Sequence, residues 1–359
     1  MSRSRIPEEA NNLKTRRRTC TLLMLAFAVS IIAAIIVCAN LGQAKVSLAQ
    51  IIRIVTGKLF WQPQWYDGVS MGITAIVWDI RLPRILCAVF VGAGLSVSGA
   101  VFQSLLMNPL ADPYTLGIST GAALGASIAI YVSGIMALAS IPVLPAALAG
   151  ALATLFLVTA IANRSNGLNS SNLIIAGIIV SSILSAGISI LKNAAGEEVG
   201  AIIFWIMGSL AARNWGHVLI LVPIVLLCSF ICFYYANELN ILCTGEENAR
   251  ILGVNVKRVR WILILSASLL TAACVSVSGI IGFVGLVVPH LLRFAVTSNN
   301  RYLLPLSSLA GALLLVLADN FSRVVFTSEI PVGVLTTLIG GPFFIYLFIR
   351  RAKRGRINV

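Results

Sequence analysis

The chain has 359 residues, 58% hydrophobic and only 11% charged, and its 26 Lys and Arg against 12 Asp and Glu leave a formal net charge of +14. A soluble domain carries about 25% charged residues, so this composition excludes a soluble enzyme, a disordered chain and an ordinary nucleic-acid-binding protein. The basic excess has to share the chain with lipid-facing helices.

A membrane span needs about 20 mostly apolar residues. Uncharged windows run over 21–44, 85–111, 113–163, 165–191, 214–237, 261–292, 302–318 and 330–349. The window 113–163 carries Ser133-Gly134 and Ser140-Ile141-Pro142 in its middle and reads as two spans. The window 261–292 breaks near Ser278-Gly279 and also reads as two, the second of them short. With a short apolar piece at 201–210, the prediction is an all-α polytopic membrane protein of about ten transmembrane helices. Strands of a membrane barrel would instead alternate over ~10 residues.

Lys and Arg near the helix ends set the orientation. With a cytoplasmic N-terminus, ten spans put 18 basic residues on inside segments: 1–20, 107–113, the turn at Arg164, 238–260, 293–301 and the tail from Arg350. The other 8 (Lys45, Arg53, Lys58, Arg81, Arg84, Lys192, Arg213 and Arg323) fall outside or near outer helix ends. Both termini are basic, and only an even number of helices keeps both in the cytoplasm. The expected organisation is therefore a basic N-terminus (1–20), a transmembrane domain (21–349) with a cytoplasmic loop at 238–256, and a basic tail (350–359). The apolar run after Arg16-Arg17-Arg18 exceeds the ~7–15 residues of a signal-peptide core and reads as a retained first helix.

Taken in order, the polar landmarks begin with Trp61, Trp65 and Trp78, ordinary interfacial anchors. Arg81-Leu82-Pro83-Arg84 places two cations around a proline suited to the first turn of a helix. Two readings fit: guanidinium groups fixed for bidentate pairing with carboxylates, or side chains snorkelling to lipid headgroups. Gly92, Gly94, Ser96, Ser98 and Gly99 let helices approach closely. Asn108-Pro109-Leu110-Ala111-Asp112-Pro113 breaks the next helix, either as backbone buried in protein along a path or as a plain cytoplasmic turn. Ser96-Val97-Ser98-Gly99 with Pro109 recurs as Ser276-Val277-Ser278-Gly279 with Pro289, an echo of only five positions.

The seven Cys include no CxxC pair, and Cys228 with Cys232 lacks His or acid neighbours, so packing is the reading. In the loop from Glu238 to Arg260, Glu246, Ala249 and Arg250 fall at helical spacing and Gly253 suits the C′ position. Acid at the start and base at the end suit the helix dipole. Such a helix either lies at the headgroups or docks a cytoplasmic partner. His290 and Asp319 are intramembrane ionisable groups, functional by default. Asp319 and Arg323 form an i,i+4 pair worth ~0.3–0.5 kcal/mol if exposed. No GxxxxGK[ST], HExxH, GxSxG or Cys/His array is present, so no Walker loop or metal site is expected on this chain.

These landmarks together resemble the iron-siderophore, haem and cobalamin permeases of type II ABC importers, the FecCD type. The motifs that carry the likeness are Arg81-Leu-Pro-Arg84, Asn108-Pro-Leu-Ala-Asp-Pro113, Leu116-Gly-Ile-Ser-Thr-Gly-Ala-Ala123 and Trp205-Ile-Met-Gly-Ser209. Gly245-Glu-Glu-Asn-Ala249 with Leu252-Gly253, Gly279 to His290, Leu303-Leu-Pro305, Ala318-Asp319, Pro331-Val-Gly333 and Gly341-Pro-Phe-Phe344 continue it in order.

The resemblance implies a ten-helix subunit of the bacterial inner membrane that is not itself an enzyme. It would pair with a second copy of itself, bind two ATP-binding subunits beneath, and receive a periplasmic substrate-binding protein above. No cofactor is expected on this chain; ATP and Mg would sit in the partner subunit. Membrane lipid is the remaining partner, and nucleic acid is not one. Glu246, Glu247, Ala249, Arg250, Leu252 and Gly253 would couple to the ATPase. Arg81, Arg84 and Arg323 would receive acidic residues of the binding protein, and Asn108, Leu110, Ser170 and Ser171 would form the cytoplasmic gate. The expected function is ATP-driven import of an iron-siderophore, haem or cobalamin type substrate. The alternative is an ion-coupled secondary transporter using Asp112, Asp319 or His290. The basic N-terminus and the segment before Arg81 are longer than the family pattern.

Overall fold

In lipid every backbone N–H and C=O must be satisfied within the segment, so long uncharged runs become helices. The computed structural model describes residues 5–42, 44, 46–135, 141–165, 169–326 and 329–357. Lys45 and Ser140 lie outside the described residues, as do the first four residues, the last two and the side chains of most of the basic termini. Among the described residues there is no strand.

The helices are α1 Arg5–Asn40, α2 Leu48–Leu59, α3 Met71–Ala75, α4 Leu82–Leu105, α5 Ile118–Ile135, α6 Val143–Arg164, α7 Ser170–Ala194 and α8 Val199–Ile206. They continue as α9 Trp215–Tyr234, α10 Ala236–Leu242, α11 Glu246–Ile251, α12 Val256–Ser278, α13 Val284–Ala295, α14 Asn300–Val325 and α15 Val332–Ile357. Eight segments are long and apolar enough to cross a membrane, while Val284–Ala295 and Val332–Ile345 are shorter apolar helices. These ten occupy the windows expected from the sequence. Helix α5 runs through Ser133-Gly134 to Ile135 and α6 starts after Ile141-Pro142, while α12 ends at Ser278-Gly279 as expected.

One boundary differs. The second span does not begin at Pro83 but runs from Met71 to Leu105, because a wide π-type segment, Ile76–Arg81, carries the helix through. Its longer bonding, with the Leu82 N–H reaching Val77 O, lets the helix continue past a proline that has no donor. Arg81 and Arg84 consequently lie within a helix rather than at its mouth.

The small residues of α4 make it the centre of the bundle, buried over nearly its whole length. A Cβ on Gly99 would collide with the carbonyl of Gly285, and one on Gly285 with the Pro113 ring. Three backbones can meet here only because two of the residues are glycine.

Helix direction follows from contacts at both ends. Cys20 of α1 shares an apolar cluster with Leu303 and Leu306 at the start of α14, and Arg323 at the end of α14 reaches Cys38 O at the end of α1. So α1 and α14 run parallel. Against them α4 is antiparallel: Arg84 near its start bonds Asp319, and Ser104 near its end bonds Asn300. The bundle thus has an Arg84 end and a Glu246 end. The latter gathers the end of α4, α10, α11, the end of α13 and the start of α14.

The segment after α4 turns back into the bundle. Pro113 packs on Gly285 beside Gly99, and Gly99 lies about 9 Å before α4 ends at 1.5 Å per residue. Each of the two readings of Asn108 to Pro113 holds for one half: Asn108 to Leu110 is a part-exposed turn, and Ala111 and Pro113 are buried in protein.

Candidate docking and coupling sites

At the Arg84 end, four charged side chains tie α1, α4 and α14 together. The Arg81 guanidinium donates to Ala39 O at 2.6 Å, Asn40 O at 3.2 Å and Ala44 O at 2.7 Å. It thereby satisfies carbonyls that the end of α1 leaves free. Arg323 does the same from the other side, donating to Cys38 O at 2.8 Å and Leu41 O at 3.0 Å. Arg84 forks between two carboxylates: Nε lies 2.9 Å from Asp319 Oδ2 and Nη1 lies 2.9 Å from Glu329 Oε2. Nη2 adds a third bond to Asp319 Oδ1 at 3.0 Å.

Asp319 therefore pairs with Arg84, and the expected Asp319–Arg323 pair is corrected. The reason is competition from other partners: Asp319 is held by the Arg84 guanidinium of α4, and Arg323, one turn on, by carbonyls at the end of α1. Arg81 and Arg84 are buried and Arg323 is half-buried, with its Nε lacking a protein partner. The two acids on Arg84 differ in setting, since the Asp319 side chain is 6% exposed and that of Glu329 45%. No sequence signal pointed to Glu329, which lies in the connection between α14 and α15.

At the Glu246 end, α11 stands on the loop between α9 and α12. Gly245 and Gly253 bracket it, with φ of 110° and 83°. The Gly253 N–H bonds Arg250 O and the Val254 N–H bonds Ala249 O, the paired bonds of a Schellman cap, as the C′ reading of Gly253 anticipated. Ala249 is buried against the bundle, while Ile251 and Leu252 stand 77% and 65% exposed. Glu247 and Arg250 flank them on the exposed side. Glu246 makes its closest bond to Arg260 of α12 and a looser one, at 3.8 Å, to Arg250. The outcome is a rigidly capped knob with an apolar tip and charged flanks.

A polar network, not anticipated from the sequence, fastens α10, the helix that precedes this knob, to the transmembrane core. Asn240 of α10 donates to Asn299 Oδ1 at 2.8 Å and accepts from the Asn300 N–H at 2.8 Å. Asn300 Oδ1 accepts from Ser104 Oγ at 2.9 Å, and Arg293 Nη2 lies 3.0 Å from that hydroxyl. One chain of bonds thus joins α10, α14, α4 and α13. The paired Asn299-Asn300 was legible as a helix start, but its partner Asn240, 60 residues away, was not.

The four expected gate residues lie on two segments. Asn108 closes an Asx turn by accepting the Leu110 N–H at 2.9 Å, and Leu110 is 50% exposed. Asp112 closes a second one on the Tyr114 N–H at 2.9 Å, and Tyr114 donates to Ile281 O at 2.6 Å. Ser170 and Ser171 open α7 behind the cap Asn169. The two segments meet nearly two turns further along α7, where Gly177 abuts Thr115 O and Leu116. The ionisable groups of the ion-coupled alternative are dispersed: Asp319 is held by Arg84, Asp112 by its own turn, and His290 lies 5.9 Å from the ring of Phe344.

The profile of the FecCD transport family matches residues 26–350, covering the whole bundle just described. This chain belongs to the FecCD transport family. It is 44% identical to the cobalamin import system permease protein BtuC of Halobacterium salinarum, over 80% of this chain and 77% of that protein. It is 37% identical to the hemin transport system permease protein HmuU of Yersinia pestis, over 88% of this chain and 92% of that one. A solved structure described as an inward-facing conformation of a metal-chelate type ABC transporter superposes with a TM-score of 0.79 at 32% identity, covering 92% of this chain and 99% of that chain. As a FecCD member the chain is the permease subunit of an ABC importer, a multi-pass protein of the bacterial inner membrane.

Proposed function

We propose that the chain forms the translocation path of an importer for an iron-siderophore, haem or cobalamin type substrate, driven by ATP hydrolysis in two partner subunits. A second copy of the chain completes the path, and both termini lie in the cytoplasm. ATP and Mg are held by the partners and supply the work of the cycle. What this chain contributes is a lever. The carrying observation is the knob at α11, exposed at Ile251 and Leu252, tied to α12 by Glu246 and Arg260, and adjoining α10, whose Asn240 is bonded through Asn300 and Ser104 to α14 and α4. A partner that grips the knob displaces the start of α14 and the end of α4 together.

The opposite end is the docking face for the substrate-binding protein, with Arg81, Arg84 and Arg323 as its positive frame. Of the three, Arg323 is the accessible cation, because the other two are buried in α1 and α14 contacts. Asn108, Leu110, Ser170 and Ser171 close the path at the Glu246 end. The relatives named for cobalamin and for hemin support a bulky chelate as the substrate class.

The test is retention of the ATP-binding subunits on the purified chain. Leu252→Asp combined with Ile251→Asp should abolish retention while the bundle stays folded, because two charges replace the apolar tip. Retention equal to wild type would place the ATPase contact elsewhere.

A further inference from the structure

Arg213 is a cation without a counter-ion. It lies between α8 and α9 at the Arg84 end, and no salt bridge reaches it among the described residues. Its Nε is buried with no hydrogen-bond partner. Burial holds the guanidinium below its ordinary value, and the groups that act on its charge are the Cys87 thiol and a like charge, Arg84. Among the described residues its side-chain hydrogen bond runs from Nη1 to His217 Nε2 at 3.2 Å. A guanidinium can only donate, so the His217 ring accepts at Nε2 and is a neutral partner; its Nδ1 lies 2.8 Å from Asn214 Oδ1 and 3.4 Å from the Asn214 backbone N. A guanidinium taken out of water with only a neutral partner calls for an anion.

The cleft that Arg213 faces has a volume of ≈ 460 Å³ and lies between the starts of α6 and α9, with Ser276 of α12 at its floor. Its remaining walls are largely apolar, including Leu144, Pro145, Trp205 and Ile220. A soluble anion gains nothing from such walls. A second groove of ≈ 370 Å³ lies between α6 and α12, lined by Phe156, Trp261 and Leu265. Because Ser276 and Leu265 belong to one helix, the two cavities sit on a single seam about 16 Å apart along α12. Beside the seam, α9 exposes Leu219, Leu226, Leu227 and Phe230 at helical spacing, the face of a helix turned to lipid.

We propose that this seam is a specific phospholipid site, with the headgroup phosphodiester on Arg213 and one acyl chain directed along α6 and α12 into the second groove. The planar guanidinium fork matches the phosphate oxygens, and Trp205 beside it sits at the level of an interfacial anchor. Among the described residues no acid lines the cleft to receive a choline ammonium, so an anionic headgroup such as phosphatidylglycerol binds in preference to phosphatidylcholine. This site is independent of the docking and coupling roles above.

The experiment is native mass spectrometry of the full chain, delipidated in detergent and titrated with phosphatidylglycerol, with inorganic phosphate as a separate arm. Wild type should retain one phosphatidylglycerol, and Arg213→Met should weaken it by about tenfold or more, the loss of a charge-assisted bond. Leu265→Trp fills the lower groove without touching Arg213 and should weaken it as well. Unchanged lipid retention in Arg213→Met overturns the proposal. If that variant does not fold, unchanged retention in Leu265→Trp overturns it instead. Displacement of the lipid by inorganic phosphate would assign the site to a soluble anion and also overturn it.

Discussion

Replacing Asp319 by Ala and, separately, Glu329 by Ala removes one carboxylate at a time from the same guanidinium. The Arg84 side chain is 9% exposed and that of Asp319 6%, so the first change leaves a buried cation with a single partner at the rim. Breaking such a pair costs about 3–5 kcal/mol. Glu329 is 45% exposed, where the pair is screened by solvent and is worth ~0–1 kcal/mol. Denaturing-detergent titration of the purified chain reads both. Replacing both members, Arg84→Met with Asp319→Leu, should recover most of the loss, because no charge is then left buried. Asp319→Ala should couple less strongly to Arg323→Ala than to Arg84→Ala, since Arg323 bonds the end of α1 rather than Asp319. Equal losses for Asp319→Ala and Glu329→Ala, or a coupling to Arg323 larger than that to Arg84, would refute the assignment of the buried pair.

Gly99→Ala puts a Cβ against the Gly285 carbonyl and should cost about 1–3 kcal/mol in the same titration, whereas Gly72→Ala, with nothing nearby, should cost much less. Asn240→Ala removes both bonds to the start of α14 while leaving the knob at α11 intact. In vesicles holding the assembled importer it should lower substrate uptake per ATP hydrolysed while retention of the ATP-binding subunit is unchanged. An unchanged ratio would remove the network from the coupling route.

The fold was readable from the sequence because lipid leaves the chain little choice. A run of twenty uncharged residues becomes a helix, Ser278-Gly279 ends one and Ile141-Pro142 starts one. The boundary at Pro83 misled because a π-type segment is a long-range accommodation with no local signature. The knob at α11 was legible since its cap is a local rule: glycine at C′ and acid at the first turn. What stayed hidden were partners distant in sequence. Asp319 was assigned to Arg323, four residues away, whereas its partner is Arg84, 235 positions earlier. Asn240, Ser104 and Glu329 became visible only when helix packing set their neighbours. Arg213 was noted merely as one of eight outer basic residues, and nothing local distinguished it until its surroundings proved to lack an acid.

The central claim is that this permease works as an ATP-driven lever rather than as an ion-coupled carrier. The most direct measurement is substrate uptake into proteoliposomes containing the chain, its ATP-binding subunits and its substrate-binding protein, with ATP and a protonophore varied independently. Uptake should require ATP, survive the protonophore and be lost with Leu252→Asp. Uptake that proceeds without ATP and collapses with the protonophore would contradict the claim.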